Sequence, residues 1–413
     1  MRETLAKLTA LGTLILVSLI AVLFAWHQQS RMQQLQNEID PLSWSVLYPL
    51  HVAALMRGAE HGAEAPEDKL AANPFRQRAW AGNAFALEYN ASRAHYYAQI
   101  DQRNSRRTLA RNQPAGCIHC HAAEAPLLVR AFGWDALNAM SFNEIRDQVH
   151  HGSACTDCHA ADTMALQISR PALRNALAQQ GIDVDAASRH DMRSYVCAQC
   201  HVEYYFREGT QELIFPWAQG MTIEAISNYY DAIDFSDWQH AETGVGLIKI
   251  QHPNFELHTQ GVHAANNTSC ADCHMPVIQD GGMHVTEHWI RSPLLQLEAA
   301  CMSCHDGSSE RLAERSLRLQ SNTLGLLALT ESALTALMDA IQLAQKRAYT
   351  GAPLEAALLA HRQAQLRWDF IDADASKGFH ASAEAIRMLI DAIAIAREAA
   401  EQLHQALGEH STQ

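Results

Sequence analysis

Hydrophobic residues follow three patterns along this 413-residue chain, and each pattern predicts a different kind of structure. Residues 8–26 form an uncharged and largely apolar run. Residues 41–60 and much of 310–407 carry apolar side chains at helical spacing. Between residues 80 and 305 the pattern is broken by many Gly, Pro and Asn residues and shows no sustained strand alternation. We therefore expect a mainly α-helical protein with an irregular middle part.

The N-terminal apolar run is long enough to cross a membrane. As a helix, residues 8–26 span about 30 Å, which matches a hydrocarbon core, and Arg2 and Lys7 before them favour a cytoplasmic N-terminus. A cleaved signal peptide is the alternative, but the residues before Trp26 lack the small-residue pattern of a cleavage site. We predict a retained anchor that holds the rest of the chain on the periplasmic side of the inner membrane; cleavage would leave it soluble in the periplasm.

The same patterns divide the chain into four parts. We predict an anchor or signal at 1–27, a polar neck at 28–44, a core at 45–305 and a helical C-terminal region at 306–413. Three helices are predicted in the C-terminal region, at 310–346, 354–370 and 382–407. The third has an apolar stripe made of Ile386, Leu389, Ile390, Ile393, Ala400, Leu403 and Leu407. This stripe packs either on the core or against a second subunit.

Cysteine usage changes this picture more than charge does. The formal net charge is −14 and no basic patch is visible, which excludes the usual nucleic-acid-binding proteins. All ten cysteines fall in five C-x-x-C-H motifs, at residues 117–121, 155–159, 197–201, 270–274 and 301–305. In a c-type haem site, two such cysteines bond to the porphyrin and the adjacent histidine binds the iron. Structural zinc and disulfides are the alternatives, but a histidine after every evenly spaced pair favours haem.

The motifs predict five covalently bound haems c. The attaching residues are Cys117, Cys120, Cys155, Cys158, Cys197, Cys200, Cys270, Cys273, Cys301 and Cys304, and the proximal ligands are His121, His159, His201, His274 and His305. Haems are large apolar groups, so five of them would replace much of a side-chain core. An iron with two imidazoles transfers electrons, whereas an iron with an open face can bind a substrate. The function therefore depends on the number of distal ligands.

Several segments of the chain resemble the pentahaem cytochrome c nitrite reductases, which form ammonia. The third motif continues from His201 into Val-Glu-Tyr-Tyr-Phe, as in that family. Similar segments occur in the same order at 80–82, 89–101, 249–253, 261–276, 288–293, 367–369 and 378–380. The resemblance covers roughly residues 45–405. It implies a mainly α multihaem cytochrome fold with a haem-filled core, long C-terminal helices and, in this chain, one membrane helix before them.

The resemblance also implies four distal histidine ligands. His288 would pair with His159, His95 with His201, His380 with His274, and His263 with His305. The haem of Cys117 and Cys120 would then be the one with an open face. This first motif becomes the predicted reaction centre, and the other four haems would supply it with electrons.

Three residues are implied to act on a substrate at the open face: Arg107, Tyr204 and His252. Positive and polar donors are suited to a small anion, because charge-assisted hydrogen bonds are the strong ones. An ungapped comparison that starts at Tyr89 selects Arg107 rather than Arg106. His252 would donate protons near neutral pH.

The resemblance further implies a calcium ion beside this site. Its ligands would be the Glu203 carboxylate, the carbonyl groups of Tyr204 and Lys249, and the Gln251 side chain. A set of oxygen ligands suits a hard cation. Lys249 would contribute only through its backbone, which also carries Gln251.

The sequence departs from the family in three places. The family's first motif usually ends in lysine, whereas this chain has His121, as some members do, and an imidazole changes the electron donation to the iron. The chain ends soon after Leu407, which weakens the expectation of the family's homodimer. The predicted anchor would place the protein near a membrane-bound multihaem quinol dehydrogenase as electron donor.

The predicted function is the six-electron reduction of nitrite to ammonium, as a respiratory or dissimilatory oxidoreductase. The family's site also accepts hydroxylamine, nitric oxide and sulfite, and the sequence does not rank these substrates. A pentahaem electron-transfer protein is the alternative, because His119, His150 and His151 are spare imidazoles that could close the first haem. The three residues implied at the open face favour the enzyme.

Overall fold

Helices dominate the computed structural model, which describes residues 2–35 and 39–410. The α-helices are α1 (Arg2–Leu35), α2 (Pro49–His61), α3 (Lys69–Ala72), α4 (Phe75–Ala79), α5 (Ala98–Asn104), α6 (Arg106–Ala110), α7 (Ile118–His121), α8 (Ala125–Phe132), α9 (Trp134–Ala139), α10 (Phe142–Ile145), α11 (Cys155–Cys158), α12 (Pro171–Gln179), α13 (Arg189–Ala198), α14 (Ile223–Ala232), α15 (Asn254–Thr259), α16 (Val262–Ala265), α17 (Cys270–His274), α18 (Leu297–Ala300), α19 (Ser309–Lys346), α20 (Ala352–Ala373) and α21 (Ser382–His410). This confirms the predicted mainly α-helical class.

The remaining regular structure is short. Short 3₁₀ helices occur at Pro41–Val46, Ala84–Ala86, His95–Tyr97, Ala115–Cys117, Arg146–Gln148, Val184–Ala186 and Pro293–Leu295. The strands form three antiparallel pairs: β1 (Tyr205–Phe206) with β2 (Leu213–Ile214), β3 (Trp238–Gln239) with β4 (Gly246–Leu247), and β5 (Val277–Asp280) with β6 (Met283–Thr286). The middle of the chain is therefore made of short helices and ribbons, as the broken hydrophobic pattern predicts.

The N-terminal helix α1 stands apart from the rest of the fold. Its segment Leu11–Ser30 has a mean hydropathy of 1.8 and none of it is buried. The helix continues through polar residues to Leu35, so the predicted neck begins as a helical extension, while residues 36–38 of that neck lie outside the described residues. Helix α19 is also long and apolar, but 44% of its most apolar window is buried inside the protein. Among the helices in the described residues, α1 alone therefore presents an apolar surface of membrane-spanning length.

The three long C-terminal helices α19, α20 and α21 pack on one another. Their bounds confirm the predicted helices to within a few residues. The predicted stripe on α21 is correct at Leu389, Ala400, Leu403 and Leu407, which are buried, but wrong at Ile390, which is 52% exposed. Small residues cause this difference, because Ala385, Ala392 and Ala396 complete the buried face and rotate it away from Ile390.

Buried side chains form four separate hydrophobic clusters rather than one core. The largest joins the C-terminal helices to middle-chain residues such as Trp80 and Ile250. A second surrounds Trp217, a third packs on Ile118 beside the first C-x-x-C-H motif, and a small one contains Trp44. Clusters of this kind leave an interior space between them, and that space is where the motifs meet.

Candidate haem and reaction site

One large cavity of about 2190 Å³ lies between the hydrophobic clusters. It is lined by all ten motif cysteines, all five predicted proximal histidines and all four predicted distal histidines. Ordinary small-molecule pockets measure about 300–1,000 Å³, so this cavity has room for several large groups. No pair of these cysteines is joined in a disulfide. The cavity and its lining therefore fit covalently attached haems.

Each motif is folded as a tight helical turn. The amide of His159 donates to the carbonyl of Cys155 at 2.9 Å, and the amides of His201 and His305 make the same contact within their own motifs. In such a turn, residues three and four apart lie on one side. Both cysteines and the histidine of each motif therefore face the cavity together.

The four predicted imidazole pairs are brought together across the cavity. Their ring centroids are 6.0 Å apart for His95 and His201, 6.3 Å for His159 and His288, 6.3 Å for His274 and His380, and 6.2 Å for His263 and His305. Two imidazoles on opposite faces of one metal, each with a metal–nitrogen bond of about 2 Å, have centroids roughly 6 Å apart. These pairs have the spacing that a six-coordinate haem iron requires.

Distance alone does not select these pairs, because His252 also lies 6.4 Å from His201, and His258 lies 6.2 Å from His380. Ring orientation supports the motif residues as metal ligands independently of these distances. The Nδ1 atoms of the motif residues His159 and His274 lie 2.9 Å and 3.1 Å from backbone carbonyl oxygens, to which Nδ1–H can donate. This arrangement leaves Nε2 for a metal, as in other metal-binding histidines.

Burial also favours the neutral form of these imidazoles, which is the form that binds metals. It lowers the pKa of His121 to about 4, with a smaller opposing contribution from the carbonyl of Ala98. It lowers the pKa of His201 and His288 to about 4 as well. These three histidines are therefore uncharged at neutral pH.

The first motif differs from the other four. The Nδ1 atom of His121 lies 3.2 Å from the carbonyl oxygen of Ala98, and within the described residues no histidine ring is paired with it at the spacing of the other pairs. The spare imidazoles His119, His150 and His151 do not line the cavity. His119 is buried against Trp134 instead, so the structure does not bring a sixth ligand to this motif from these residues.

Arg107, Tyr204 and His252 line the cavity, as do Cys117 and His121 of the first motif. The guanidinium carbon of Arg107 lies 4.1 Å from the centre of the Phe85 ring. Its Nε is buried without a hydrogen-bond partner, and among the described residues no carboxylate forms a salt bridge with it. The positive charge of Arg107 is therefore free to face an anion.

The choice between Arg107 and Arg106 is also visible in the structure. Arg106 is exposed and does not line the cavity, whereas Arg107 is partly buried on the cavity wall. Both residues begin helix α6, whose start is capped by the side chain of Ser105. The cap fixes which of two adjacent arginines points inward.

Tyr204 and His252, which line the cavity together with Arg107, are uncharged in this setting. Burial raises the pKa of Tyr204 well above its usual range, and the nearby Cys120 and Cys117 add to the effect. Burial lowers the pKa of His252 well below its usual range, and His201, His121 and Lys249 lower it further. His252 is therefore a neutral imidazole in this setting, which favours relay of a proton over storage of one; its donation of protons near neutral pH stays a prediction.

The segment that carries Gln251 and His252 is held by a buried ion pair. The Lys249 ammonium donates to Asp369 at 2.8 Å, and the amide of Ile250 donates to the other oxygen of the same carboxylate at 3.0 Å. Both charged side chains are almost fully buried. The sequence comparison included Asp369 without a role; the structure shows that helix α20 uses it to fix this segment.

The predicted calcium ligands also converge. Glu203 accepts the Gln251 amide at 2.7 Å and the Tyr230 hydroxyl at 2.8 Å. Nε2 of the Gln251 side chain donates a hydrogen bond to the Lys249 carbonyl oxygen at 2.9 Å, which leaves the side-chain oxygen of Gln251 for a cation. Among the residues described, no three acidic, histidine or cysteine side chains gather into a metal site. A cation here would be coordinated by the carboxylate of Glu203 together with carbonyl and amide oxygens.

Charge supports a cation at this point. Burial raises the pKa of Glu203 well above its usual range, and the carboxylates of Asp237 and Glu256 raise it further. Burial also raises the pKa of Asp237 to about 7 and of Glu256 to about 8. The nearby Lys249 ammonium already pairs with Asp369. A divalent cation would keep the buried Glu203 ionised, so the residues fit calcium.

A helical chain with five C-x-x-C-H turns around one shared cavity defines a multihaem c-type cytochrome. A family model described as Cytochrome c552 matches residues 40–413. The chain belongs to this cytochrome c552 family.

Curated relatives agree with this assignment. Cytochrome c-552 of Bacteroides fragilis strain YCH46 is 37% identical over 337 residues, which cover 80% of this chain and 68% of the relative. Cytochrome c-552 of Aliarcobacter butzleri strain RM4018 is 37% identical over 364 residues, which cover 83% of this chain and 72% of the relative.

The fold is similar to a solved structure, the cytochrome c nitrite reductase of Desulfovibrio desulfuricans ATCC 27774. The TM-score is 0.83 at 30% sequence identity, with 90% of this chain and 87% of the other covered. Two calcium sites are described in the catalytic subunit of that protein. The predicted resemblance to the nitrite reductase family is confirmed.

Glycine 261 provides a test of the distal ligand arrangement. A Cβ built on Gly261 would overlap the carbonyl oxygen of His380. We expect Gly261→Ala to displace His380 and to convert one low-spin haem into a high-spin haem, measured by electron paramagnetic resonance (EPR) of the oxidised protein. Gly325→Ala is the control, because a Cβ there meets no atom within 4 Å, and its spectrum should match the parent. An unchanged spectrum for Gly261→Ala would contradict the placement of His380.

Proposed function

We propose that this protein reduces nitrite to ammonium at the haem attached to Cys117 and Cys120. The observation that carries the proposal is Arg107, an unpaired cation on the wall of the cavity that the first motif shares. A cation that no carboxylate neutralises is suited to hold a small anion beside the first motif, as the reduction of nitrite requires.

Each residue around the first motif would have a separate role. The haem would supply electrons and an open coordination position. Arg107 would attract the nitrite anion and hold its oxygens. The Tyr204 hydroxyl, which stays protonated, would donate a hydrogen bond to one oxygen. Neutral His252 would pass protons inward from the surroundings one at a time, so that oxygen leaves as water.

Calcium would form part of the same site. We propose that it binds the Glu203 carboxylate, the carbonyls of Tyr204 and Lys249, and the Gln251 side chain. Since Gln251 and His252 are adjacent, a cation at this point would restrict the backbone that positions His252. The Asp369 ion pair would hold the same backbone from the opposite side.

The proposal extends to the location and partners of the protein. Helix α1 would anchor it to the inner membrane, with the haem domain in the periplasm, or would act as a signal that is removed. Electrons would come from a membrane multihaem quinol dehydrogenase or another cytochrome. A homodimer would use the exposed apolar side chains of the C-terminal helices, which include Leu317, Leu324 and Ile390.

Two alternatives remain part of the proposal. Hydroxylamine and sulfite would meet the same residues, so the preferred substrate could be either. A pure electron-transfer protein would require a sixth ligand on the first haem. The positions of His119, His150 and His151 outside the cavity favour the enzyme over this alternative.

The spin states of the haems separate the enzyme from the electron carrier. We expect the EPR spectrum of the oxidised protein to show one high-spin haem beside four low-spin haems, because among the described residues only the first motif lacks a facing imidazole. Nitrite should perturb the high-spin signal alone. Five low-spin haems that ignore nitrite would refute the proposed enzyme.

Variants of Arg107 and His252 test the proposed roles of these residues. Arg107→Ala should lower the nitrite turnover number by about 10²–10³-fold, the usual effect of removing one donor to a developing charge. His252→Asn should lower turnover by about 10²-fold or more, because proton transfer is lost. Arg106→Ala is the matched control and should keep parental turnover, since its side chain is exposed. All three variants should retain five haems; full turnover by both Arg107→Ala and His252→Asn would rule out the assigned site.

Metal removal tests the calcium proposal. Treatment with a calcium chelator should lower turnover, and added Ca²⁺ but not Mg²⁺ should restore it, because Mg²⁺ demands a smaller and more regular ligand set. Glu203→Gln should abolish this restoration, since the only carboxylate ligand is lost. Glu256→Gln is the control for loss of a neighbouring buried acid and should still respond to Ca²⁺. Calcium-independent turnover in the chelated parent would disprove the site.

A further inference from the structure

A buried carboxylate is hydrogen-bonded to one of the proposed haem ligands. Asp374 follows helix α20 and is fully buried. Its Oδ1 accepts a hydrogen bond from Nδ1 of His380 at 3.1 Å. Nδ1–H then points to the carboxylate and Nε2 is left for the iron, which is the arrangement of a carboxylate–histidine–metal unit.

Every other group around Asp374 is also a donor. Oδ1 accepts the Asn254 side-chain amide at 2.8 Å and the Ser376 backbone amide at 3.1 Å. Oδ2 accepts the Gly378 amide at 3.1 Å and the Ser376 hydroxyl. A carboxyl group surrounded by donors has no acceptor for a proton of its own. Asp374 is therefore ionised, although it is buried among the ligands of an apolar cavity.

Asn254 extends this contact to a second motif. Its side chain donates to Asp374 at 2.8 Å and lies beside the ring of His201. His201 is the proposed proximal ligand of the third haem, and His380 is the proposed distal ligand of the fourth. One carboxylate thus contacts the ligand of one haem directly and that of its neighbour through a single amide.

Four of the other proposed ligands have neutral partners. The Nδ1 atoms of His121, His159, His274 and His288 lie beside backbone carbonyl oxygens. Among the proposed ligands in the described part of the chain, His380 alone shares a hydrogen bond with a carboxylate. A negative acceptor draws the Nδ1 proton away and gives the imidazole more anionic character. Such a ligand stabilises the ferric state of the iron more than a neutral imidazole does.

We infer that Asp374 is a positioning residue that lowers the reduction potential of the haem attached to Cys270 and Cys273. It acts through His380, and more weakly through Asn254 and His201 on the haem attached to Cys197 and Cys200. This inference rests on the proposed ligand assignment. It goes beyond that assignment by giving one of the four low-spin haems a distinct electrochemical role.

The test compares two carboxylates that lie two residues apart. Asp374→Asn keeps the size of the side chain and a hydrogen-bond acceptor but removes the charge. Asp372→Asn is the matched control, because Asp372 is equally enclosed but pairs with Arg76 and Lys377 rather than with a ligand. In redox titrations of the haem-loaded protein followed by absorbance, Asp374→Asn should raise the potential of one haem clearly and of a second slightly. Asp372→Asn should leave both reduction potentials unchanged.

A second variant keeps the test decisive where Asp374→Asn does not fold. Ser376→Ala removes one donor from the carboxylate without changing its charge. With one donor fewer, the carboxylate is a stronger acceptor for the Nδ1 proton of His380. The reduction potential of the same haem should therefore fall. Unchanged or upward potentials in Ser376→Ala, or unchanged potentials in a folded Asp374→Asn protein, would overturn the inference.

A variant of the proposed ligand His380 distinguishes failure of this inference from failure of the ligand assignment on which it rests. His380→Ala should add a second high-spin haem to the oxidised EPR spectrum. If it does not, the ligand assignment fails and the inference with it. If it does, and the Asp374 and Ser376 variants leave every potential unchanged, only the inference fails.

Discussion

A C-x-x-C-H turn can hold a haem from one face only. Five consecutive residues supply both thiols and one imidazole, but an imidazole for the opposite face must come from another part of the chain. Of the histidines proposed for these opposite faces, His288 follows the β5–β6 ribbon, and His380 comes from the connection between α20 and α21. Segments remote in sequence must therefore meet within a few ångströms, and this requirement shapes the interior more than side-chain packing does. The division of the hydrophobic residues into four clusters follows from it.

The sequence predicts those parts of the molecule that depend on local rules. The C-x-x-C-H turns and helices α19 to α21 follow from spacing and from the period of 3.6 residues, both of which are visible in a short window. Ile390 was misplaced because alanines complete the buried face of α21, and alanine gives a weak periodic signal. The β5–β6 ribbon was not predicted although Gly281 and Gly282, both with positive φ, mark its turn.

Pairings between remote residues could not be derived from local patterns. The distal histidines were assigned through the family resemblance, because a single histidine carries no sign of its partner. Asp369 and Asp374 illustrate the limit further. Each is an acidic residue at the end of a mixed helix, and only the fold shows that one holds Lys249 and the other contacts His380. Burial of a charge depends on what packs around it, which the sequence does not display.

The different hydrogen-bond partners of His121 and His380 predict a direction for electron transfer among the proposed haems. His121 donates to a neutral carbonyl, so its imidazole keeps ordinary donor strength, whereas His380 donates to an anion. The motifs also adjoin one another: the Cys200 sulfur of the third lies 3.9 Å from the His119 carbonyl oxygen of the first, and the Cys270 amide of the fourth donates to Ser194, three residues before the third. Electrons move spontaneously from lower to higher potential. A fourth haem made more reducing by Asp374 would therefore favour transfer through the third haem to the first, where Arg107 can hold the anion.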